Sequence, residues 1–310
     1  RSSDDAKRTE AISKLRTYLH STYRLDRRML RTRRRRDHVK VHLGERRCRP
    51  WLIEAPDRAK IYELLDGWRL NAPSNAECAK VFSTMLTAAM RHPSLLEEII
   101  NRRLDNLDRG HQSHFDGEKD YLDRARFTTD IAQDVRLKTL VETLVAHRYE
   151  KQYLVFVSDH SIATEVTDYL RLSSLNVWHL GSGGNPLDMI QNFLTDKSYS
   201  ALICDEESET GLNIQLPGTK ITAIHFDVPL FANRIEQRIG RLDRIHGDPI
   251  VESLVPLWPT DSHGTNYEHA WTKCLIDAVG VFDQSVASLQ HALDAGHKQL
   301  TKDILVDGVE

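Results

Sequence analysis

The residues with the greatest potential for chemistry lie in a short arginine-rich stretch, residues 234–246. A helix turns by about 100° per residue, so Gln237, Arg241 and Arg244, spaced i, i+4 and i+7, would share one face. Apolar residues repeat this spacing on the nearly opposite face: Ile235, Ile239 and Leu242. One face can therefore pack into a core while the other offers two planar cations, which suit a polyphosphate.

Gly240 stands beside these arginines, although a glycine inside a helix costs about 1 kcal/mol relative to alanine. Its position predicts that a ligand approaches the helix closely. Arg238 points to another face, which predicts a structural salt bridge with Asp243 or Glu236. A solvated basic helix face is the alternative interpretation, and an arginine-rich helix alone does not decide between the two.

The overall composition of the 310 residues is that of an ordinary globular protein, with 40% hydrophobic residues and a formal net charge of −3. Positive charge is concentrated in residues 24–49, which hold eleven arginines and one lysine against three carboxylates. This block is either a surface that contacts phosphates or a flexible basic linker. No apolar run approaches the about 18 residues of a membrane span, so we expect a cytoplasmic protein without membrane contact.

Cysteine and histidine spacing does not predict a metal site. The four cysteines lie far apart and form no CxxC pair, so neither a zinc ribbon nor a disulfide framework is indicated. His111 and His114 form an HxxH pair, but no further ligand stands near it in a metal-binding pattern. We therefore expect no metal ligands in this chain and a reducing environment.

The hydrophobic pattern divides the chain into a mostly helical first part and an alternating second part. The first part is predicted to contain helices at 7–37 and 56–108, a hairpin or pair of strands at 39–53, and a loop at 109–129. From about residue 131, strands predicted at 153–157, 177–180, 201–204, 221–226 and 250–257 alternate with helices, and a helical tail covers 267–293. Such alternation predicts an α/β fold with a parallel sheet covered by helices on both faces and ligand groups at the carboxyl ends of the strands.

A phosphate loop, which nucleotide-hydrolysing enzymes usually need, is missing. Such a loop ends in Gly-Lys-Ser/Thr, and the sequence contains no Gly-Lys dipeptide. The glycine-rich residues 181–184 lack a lysine and indicate a plain turn. Asp205 and Glu206 follow an apolar strand like a Walker B pair, which would make them a magnesium ligand and a base. That interpretation requires an upstream phosphate loop.

The string Gln-Arg-Ile-Gly-Arg-Leu-Asp-Arg at 237–244 resembles motif VI of superfamily 2 helicases and translocases, in the variant of the RapA/Snf2-like DNA-dependent ATPases. Residues 208–215, followed by a strand and by Asp227-Val-Pro-Leu, resemble motif V, and residues 151–158 resemble the motif IV region. After Arg244 the sequence reads Ile-His-Gly, where the Snf2-type pattern commonly continues Ile-Gly-Gln. The contact that the final Gln makes in that pattern is therefore not expected here, whereas Arg241 and Arg244 still match the motif.

The resemblance implies that residues 131–260 are a RecA-like C-terminal helicase lobe. Residues 1–55 would be a basic segment handing over from the first lobe, since Met-Leu-Arg-Thr-Arg at 29–33 resembles that region. Residues 56–130 would be a mostly helical insertion, and residues 261–310 a helical extension. Motifs I and II belong to the first lobe and are absent from this sequence.

The resemblance also implies roles for individual residues. Arg241 and Arg244 would be arginine fingers acting on ATP and Mg²⁺, which an N-terminal lobe outside this sequence would mainly bind. The remaining nucleotide contacts would come from Gln237, Gly240, Gly211 and Asn213. Contacts to nucleic acid would come from the 181–184 loop and from Ser158, Thr210, Arg33 and Arg34. Asp227 would either orient an arginine or cap a helix.

We therefore expect the C-terminal lobe of an ATP-dependent, nucleic-acid-stimulated helicase or translocase that remodels DNA, in transcription or in phage defence. Its partners would be duplex DNA, bound without sequence preference, and its own N-terminal lobe. The isolated chain would be inactive. Two alternatives stay open: a catalytically inactive module that binds nucleic acid or protein, and a complete phosphohydrolase that uses Asp205 and Glu206.

Overall fold

A sheet of parallel strands forms the centre of the structure, a computed structural model that describes residues 45–54, 57–131, 135–147, 151–196, 198–208, 221–242, 250–259, 266–286 and 303–308. Within these ranges the strands are β1 (Glu45–Leu52), β2 (Gln152–Phe156), β3 (Val177–His179), β4 (Ala201–Cys204), β5 (Ile221–His225) and β6 (Ile250–Leu257). Their order is β1-β6-β5-β2-β4-β3, and every pair is parallel. The predicted parallel α/β sheet is therefore confirmed.

The helices in the described ranges are α1 (Asp57–Asn71), α2 (Ala76–Arg91), α3 (Pro93–Asp108), α4 (Glu118–Ile131), α5 (Val135–Ala146), α6 (His160–Leu172), α7 (Pro186–Thr195), α8 (Ala232–Ile239) and α9 (Tyr267–Lys273). Successive side chains of a strand point to opposite faces of the sheet. Tyr153 and Val155 of β2 accordingly pack in one core with α5 and α6, and Leu154 and Phe156 pack in the other with α7 and α8. Helices thus cover both faces, as predicted.

Helices α1 to α4 form a separate helical layer around the stacked rings of Trp68 and Phe82. Leu230, Tyr267 and Leu305 contribute to the same core. The helices predicted within 56–108 are confirmed. The breaks between them lie next to prolines, and Asn75 and His92 cap the N-termini of α2 and α3. The four-part domain division stays a prediction. None of the helices in the described part of the chain has the length and apolarity needed to cross a bilayer.

The loop predicted at 109–129 is correct over 109–117 and wrong beyond it, because residues 118–131 form α4. Its sequence is polar, and the buried apolar positions with described side chains are few, Leu122 and Ala125. Glu118 at the helix start is also buried, because its carboxylate binds the guanidinium of Arg103 at 2.8 Å. The helix was therefore mistaken for a solvated segment, because its sequence does not show that a charged residue is paired inside the fold.

Two further boundaries differ from prediction. The hairpin expected at 39–53 is, in its described part, one edge strand, β1, parallel to β6 from Glu45 opposite Ile250 onward. The tail expected to be helical over 267–293 continues from α9 as a π-helix, Cys274–Val279, and stops at Gly280, whose φ of 67° is left-handed. The helix predicted at 7–37 lies outside the described residues.

His225, at the end of β5, is a fully buried imidazole. Within the described part of the chain neither ring nitrogen has a hydrogen-bond partner, and the ring lies 5.6 Å from that of Phe156 and 5.2 Å from that of Phe282 between centroids. Burial and then the charge of Arg238 lower the pKa of His225 to about 3, although Asp227 acts in the opposite direction. The ring is therefore neutral in the folded chain at any pH near neutrality.

This burial predicts acid sensitivity. The unfolded chain binds a proton at His225 below about pH 6.5 while the folded chain does not, so stability is expected to fall as the pH drops from 6.5 toward 3. The slope from this group is at most about 1.4 kcal/mol per pH unit. Urea unfolding at pH 7 and pH 5 measures it. His225→Phe should reduce the difference between the two pH values, and an unchanged difference would refute the assignment.

Candidate functional site

The arginine-rich helix α8 is anchored to the sheet by a buried ion pair. Arg238 donates to Asp227 Oδ1 at 3.1 Å, to the backbone oxygen of Asp227 at 2.8 Å and to Ser158 Oγ at 2.7 Å. Ser158 in turn donates its N–H to Asp227 Oδ2 at 2.7 Å, and its hydroxyl donates to Asp227 Oδ1. The network joins the end of β2, the end of β5 and α8.

The Asp227 carboxylate and the Arg238 guanidinium carry opposite charges, which is why the network can be fully buried. Burial alone would raise the pKa of the Asp227 carboxyl, but the charge of Arg238 and the hydrogen bonds from Ser158 outweigh it and lower the pKa. The prediction that Arg238 makes a structural salt bridge is correct, but its partner is Asp227 and not Glu236. Glu236 instead pairs with Arg46 at 2.8 Å. Asp227 therefore orients an arginine, as one of its two predicted roles required.

The predicted helix face is only partly formed. The apolar face is confirmed, since Ile235, Ile239 and Leu242 are buried. Gln237 is exposed on the other side, but Arg241 is buried, at 7% exposure. The reason is that α8 ends at Ile239, earlier than predicted, and Arg241 lies in the following turn, where its N–H binds the oxygen of Arg238 at 3.2 Å. Arg244 lies outside the described residues.

Gly240 ends α8 in an ordinary right-handed conformation, with φ −61°. A Cβ at this position would stand 3.0 Å from the backbone oxygen of Glu236 and 3.5 Å from that of Gln237. Within the described chain, the tight neighbours of Gly240 are thus carbonyls of the preceding helical turn. The predicted close approach of a nucleotide to Gly240 stays a prediction.

Most of the other predicted contacts fall outside the described residues: Gly211, Asn213, Thr210, Arg33 and Arg34. Ser158 is described and is fully buried, with both its N–H and its hydroxyl bound to Asp227. This placement argues against the predicted contact between Ser158 and nucleic acid, because a buried and fully engaged hydroxyl has no route to a phosphate. Ser158 has a positioning role for α8 instead.

The described end of the basic block is largely neutralised within the fold. Arg46 is buried against Glu236, and Arg49 binds Glu252 at 2.6 Å. Burial would raise the pKa of Glu236, but the hydrogen bonds and charge of Arg46 lower it. These two arginines therefore serve the attachment of β1, and a phosphate-contacting surface would have to come from the exposed Arg47 or from the earlier part of residues 24–49.

A second polar cluster lies at the carboxyl ends of β2, β4 and β3. His160 Nδ1 lies 2.7 Å and His179 Nε2 lies 3.3 Å from Asp205 Oδ2, and Ser208 donates its N–H to Asp205 Oδ1 at 3.0 Å. Burial acts to raise the pKa of Asp205, but hydrogen bonds from His179, His160 and Ser208 outweigh it and hold the pKa well below its usual range. The hydrogen bond to Asp205 raises the pKa of His160.

This cluster bears on the Walker B interpretation. Glu206 does not lie beside Asp205 in the cluster but is exposed, 3.5 Å from Arg234 and 3.8 Å from Arg91. Mg²⁺ prefers oxygen ligands, and the neighbours of the Asp205 carboxylate are imidazole nitrogens. The geometry therefore argues against a magnesium site built from Asp205 and Glu206.

His160 and His179 were not predicted from the sequence as members of a cluster with Asp205. The signal was present, because all three residues stand at or just after the carboxyl ends of predicted strands, where side chains from neighbouring strands meet. Only the strand order, in which β4 lies between β2 and β3, shows that they come together. The 181–184 loop follows β3 beside them, and its Gly183 and Gly184 have positive φ, at 90° and 92°.

Known proteins that resemble the chain agree with the predicted resemblance and with the fold. The chain is 33% identical over 132 residues to the RNA polymerase-associated protein RapA of Pseudomonas syringae pv. tomato. The matched region is 41% of this chain and 14% of that protein. The RapA protein of Pseudomonas putida is 31% identical over 128 residues, which is 40% of this chain and 13% of that protein. No protein-family profile matches the chain.

The crystal structure of the C-terminal part of the Fun30 ATPase domain superposes with a TM-score of 0.51 at 17% identity, over 86% of this chain and 98% of that one. The chain is thus similar to RapA proteins over about two fifths of its length, and it shares its fold with the C-terminal part of the Fun30 ATPase domain. The sheet is RecA-like, as predicted, and the Arg238–Asp227–Ser158 network holds the helix whose sequence resembles motif VI. The chain spans about one seventh of the length of the RapA relatives that it matches.

Proposed function

We propose that this chain is the part of an ATP-dependent, nucleic-acid-stimulated translocase that presents arginines to ATP held by another lobe. The observation that supports this most directly is the anchoring of the motif VI helix. Arg238 fixes α8 to the ends of β2 and β5, and Arg241 follows only three residues later. The lack of any Gly-Lys dipeptide is consistent with ATP and Mg²⁺ being bound mainly elsewhere.

Phosphoryl transfer spreads negative charge over the oxygens of the transferred group, and a positioned arginine stabilises that charge. In the proposal, Arg241 and Arg244 serve this purpose, and Gln237 couples the nucleotide to lobe closure. Arg241 is buried in the described chain, so the turn after Gly240 has to rearrange before its guanidinium reaches a phosphate. A glycine at the start of that turn lowers the barrier to such a rearrangement.

The two lobes would close and open with each ATP that is hydrolysed. This motion would shift the contacts between the protein and a nucleic-acid backbone along the strand. We propose duplex DNA as the partner, contacted through its phosphates, with Thr210, the 181–184 loop, Arg33 and Arg34 as contributing groups. Contacts to phosphates carry no sequence information, so binding is expected to depend strongly on salt and weakly on sequence.

The proposal predicts that the 310-residue chain alone does not hydrolyse ATP above background, with or without duplex DNA. Phosphate release in the presence of Mg²⁺ measures this. Turnover by the isolated chain that is lost in Arg241→Ala would contradict the half-site proposal. Magnesium-dependent turnover that survives Arg241→Ala and is lost in Asp205→Asn would instead establish the phosphohydrolase alternative.

A second candidate function is a catalytically inactive binding module, which the charge of residues 24–49 favours. Its test is DNA binding by the isolated chain, measured by fluorescence anisotropy at two salt concentrations. Replacement of Arg33 and Arg34 by Gln should weaken binding about equally for all sequences. The module is favoured if binding depends entirely on this block while a two-lobed protein with Arg241→Ala keeps full ATPase activity.

A further inference from the structure

Three potential metal ligands meet at the carboxyl edge of the sheet. His160 is the first residue of α6 after β2, His179 is the last residue of β3, and Asp205 directly follows β4. Their ligand atoms, His160 Nδ1, His179 Nε2 and a carboxylate oxygen of Asp205, all lie within 4.8 Å of one another. Because β4 lies between β2 and β3 in the sheet, three separate segments of the chain supply one ligand each.

The separations are close to those of ligands around a single ion. Zinc binds imidazole nitrogen and carboxylate oxygen at about 2.0–2.2 Å, which places tetrahedral ligands about 3.3 Å apart. His179 Nε2 lies at this distance, 3.3 Å from Asp205 Oδ2, whereas His160 Nδ1 lies 2.7 Å from it and has to move out to about 3.3 Å when an ion replaces the hydrogen-bonded proton. The N–H of Ser208 holds Asp205 Oδ1 at 3.0 Å and so turns Oδ2 toward the two rings. Backbone support of this kind fixes the orientation of a ligating carboxylate.

Gly181 keeps the space between these three groups free of a side chain. A Cβ at residue 181 would stand 2.2 Å from Asp205 Oδ2, 2.9 Å from His160 Nδ1 and 2.9 Å from His179 Nε2. The φ of Gly181 is not in the left-handed region, so backbone conformation does not explain the glycine. The requirement for glycine here comes from the cluster itself.

We propose that His160, His179 and Asp205 form a binding site for Zn²⁺. Two imidazole nitrogens and one carboxylate oxygen are the protein ligands of open zinc sites, in which solvent takes the fourth position. His179 and Asp205 are buried, whereas the His160 side chain is 56% exposed and gives the ion access to solvent. The bound ion would join α6, the end of β3 and the end of β4, independently of ATP and of the arginines of α8.

The test is titration of the metal-free 310-residue chain with Zn²⁺ by isothermal calorimetry, with Co²⁺ as a spectroscopic probe. We expect one ion bound through these ligands. With Co²⁺ we expect visible absorption bands of the kind that a Co²⁺ ion of low coordination number gives. Because changes in the outer shell already cost about 10–100-fold in affinity, loss of a ligand in His160→Ala or Asp205→Asn should weaken binding by at least about 100-fold. His111→Ala, which removes an exposed histidine elsewhere, should bind like the parent.

Gly181→Ala provides a second test, since it adds only a methyl group in the centre of the cluster. It should lose Zn²⁺ binding as the ligand variants do, and its melting temperature with EDTA shows whether the fold is retained. Absence of saturable binding in the parent overturns the proposal. Binding of parental affinity in His160→Ala and Asp205→Asn overturns it as well, because the ion would then be held by other histidines.

Discussion

Replacement of Arg241 by alanine is expected to lower the turnover of nucleic-acid-stimulated ATP hydrolysis by about 10³–10⁵-fold in the protein that contains both lobes. This corresponds to about 4–7 kcal/mol of transition-state stabilisation. The guanidinium would meet charge that develops during phosphoryl transfer, so kcat should fall while KM for ATP changes little. Steady-state phosphate release over a range of ATP concentrations separates the two parameters.

Two control variants distinguish a missing charge from a damaged fold. Arg241→Lys keeps a cation but not the planar fork that binds phosphate oxygens bidentately, so it should recover only part of the activity. Arg171→Ala removes an exposed arginine on α6, paired only loosely with Asp168 at 3.7 Å, and should leave kcat unchanged. Thermal unfolding of each variant shows whether Arg241, which is buried, also supports the fold.

An Arg241→Ala protein that keeps the parental melting temperature and full turnover would exclude the arginine-finger role. A protein that loses turnover and melts at a much lower temperature would identify Arg241 as a structural residue. Only loss of kcat with retained stability and retained DNA binding supports the proposal. DNA binding is therefore measured on the same preparations.

The centre of the sheet was predictable because β2, β4 and β5 are short, mostly apolar runs buried on both faces, and such runs are distinctive between amphipathic helices. The predicted bounds of β4 and β6 agree with the structure. The sequence predictions failed where a charged residue is buried and paired inside the fold instead of exposed to solvent. Arg46 and Glu118 look like surface residues in the sequence, yet each is buried against an opposite charge.

The site was predictable only as far as periodicity and local motifs extend. The apolar face of α8 follows from spacing, but the end of the helix at Ile239 does not, and it moves Arg241 from the expected exposed face into a buried turn. The binding of Arg238 to Asp227 and the meeting of His160 with Asp205 depend on strand order. Strand order is a long-range property of the fold that residue spacing does not encode.

One buried carboxylate, Glu268 of α9, helps to join the helical layer to the α/β part of the chain. Glu268 lies 2.9 Å from Arg58 of α1 and 3.4 Å from Arg136 of α5, and it accepts a hydrogen bond from Tyr62 at 2.8 Å. All four side chains are buried. Burial and then the negative charge of Glu268 raise the pKa of Tyr62 above its usual range, although Arg58 opposes this. The hydroxyl therefore stays protonated and remains a donor.

Glu268→Ala is expected to cost about 3–5 kcal/mol of folding stability, because it leaves two buried guanidiniums without the carboxylate that compensates them. Urea unfolding followed by circular dichroism measures the loss. Asp277→Ala is the matched control: it removes a carboxylate from an exposed pair with Lys273 at 3.2 Å, and such pairs contribute little. Equal losses in the two variants would refute the role given to Glu268.

Joint replacement of the ionic groups tests the physical reason for the loss. If Glu268→Ala destabilises through uncompensated buried charge, then a variant with Arg58→Met, Arg136→Leu and Glu268→Ala should be more stable than Glu268→Ala alone, since no buried charge remains to be paired while the space left by the glutamate is unchanged. If the loss comes from a cavity instead, the triple variant should be no more stable. Hydrogen exchange in α1 and α2 then shows whether the helical layer opens before the sheet, as expected when its ionic attachment is removed.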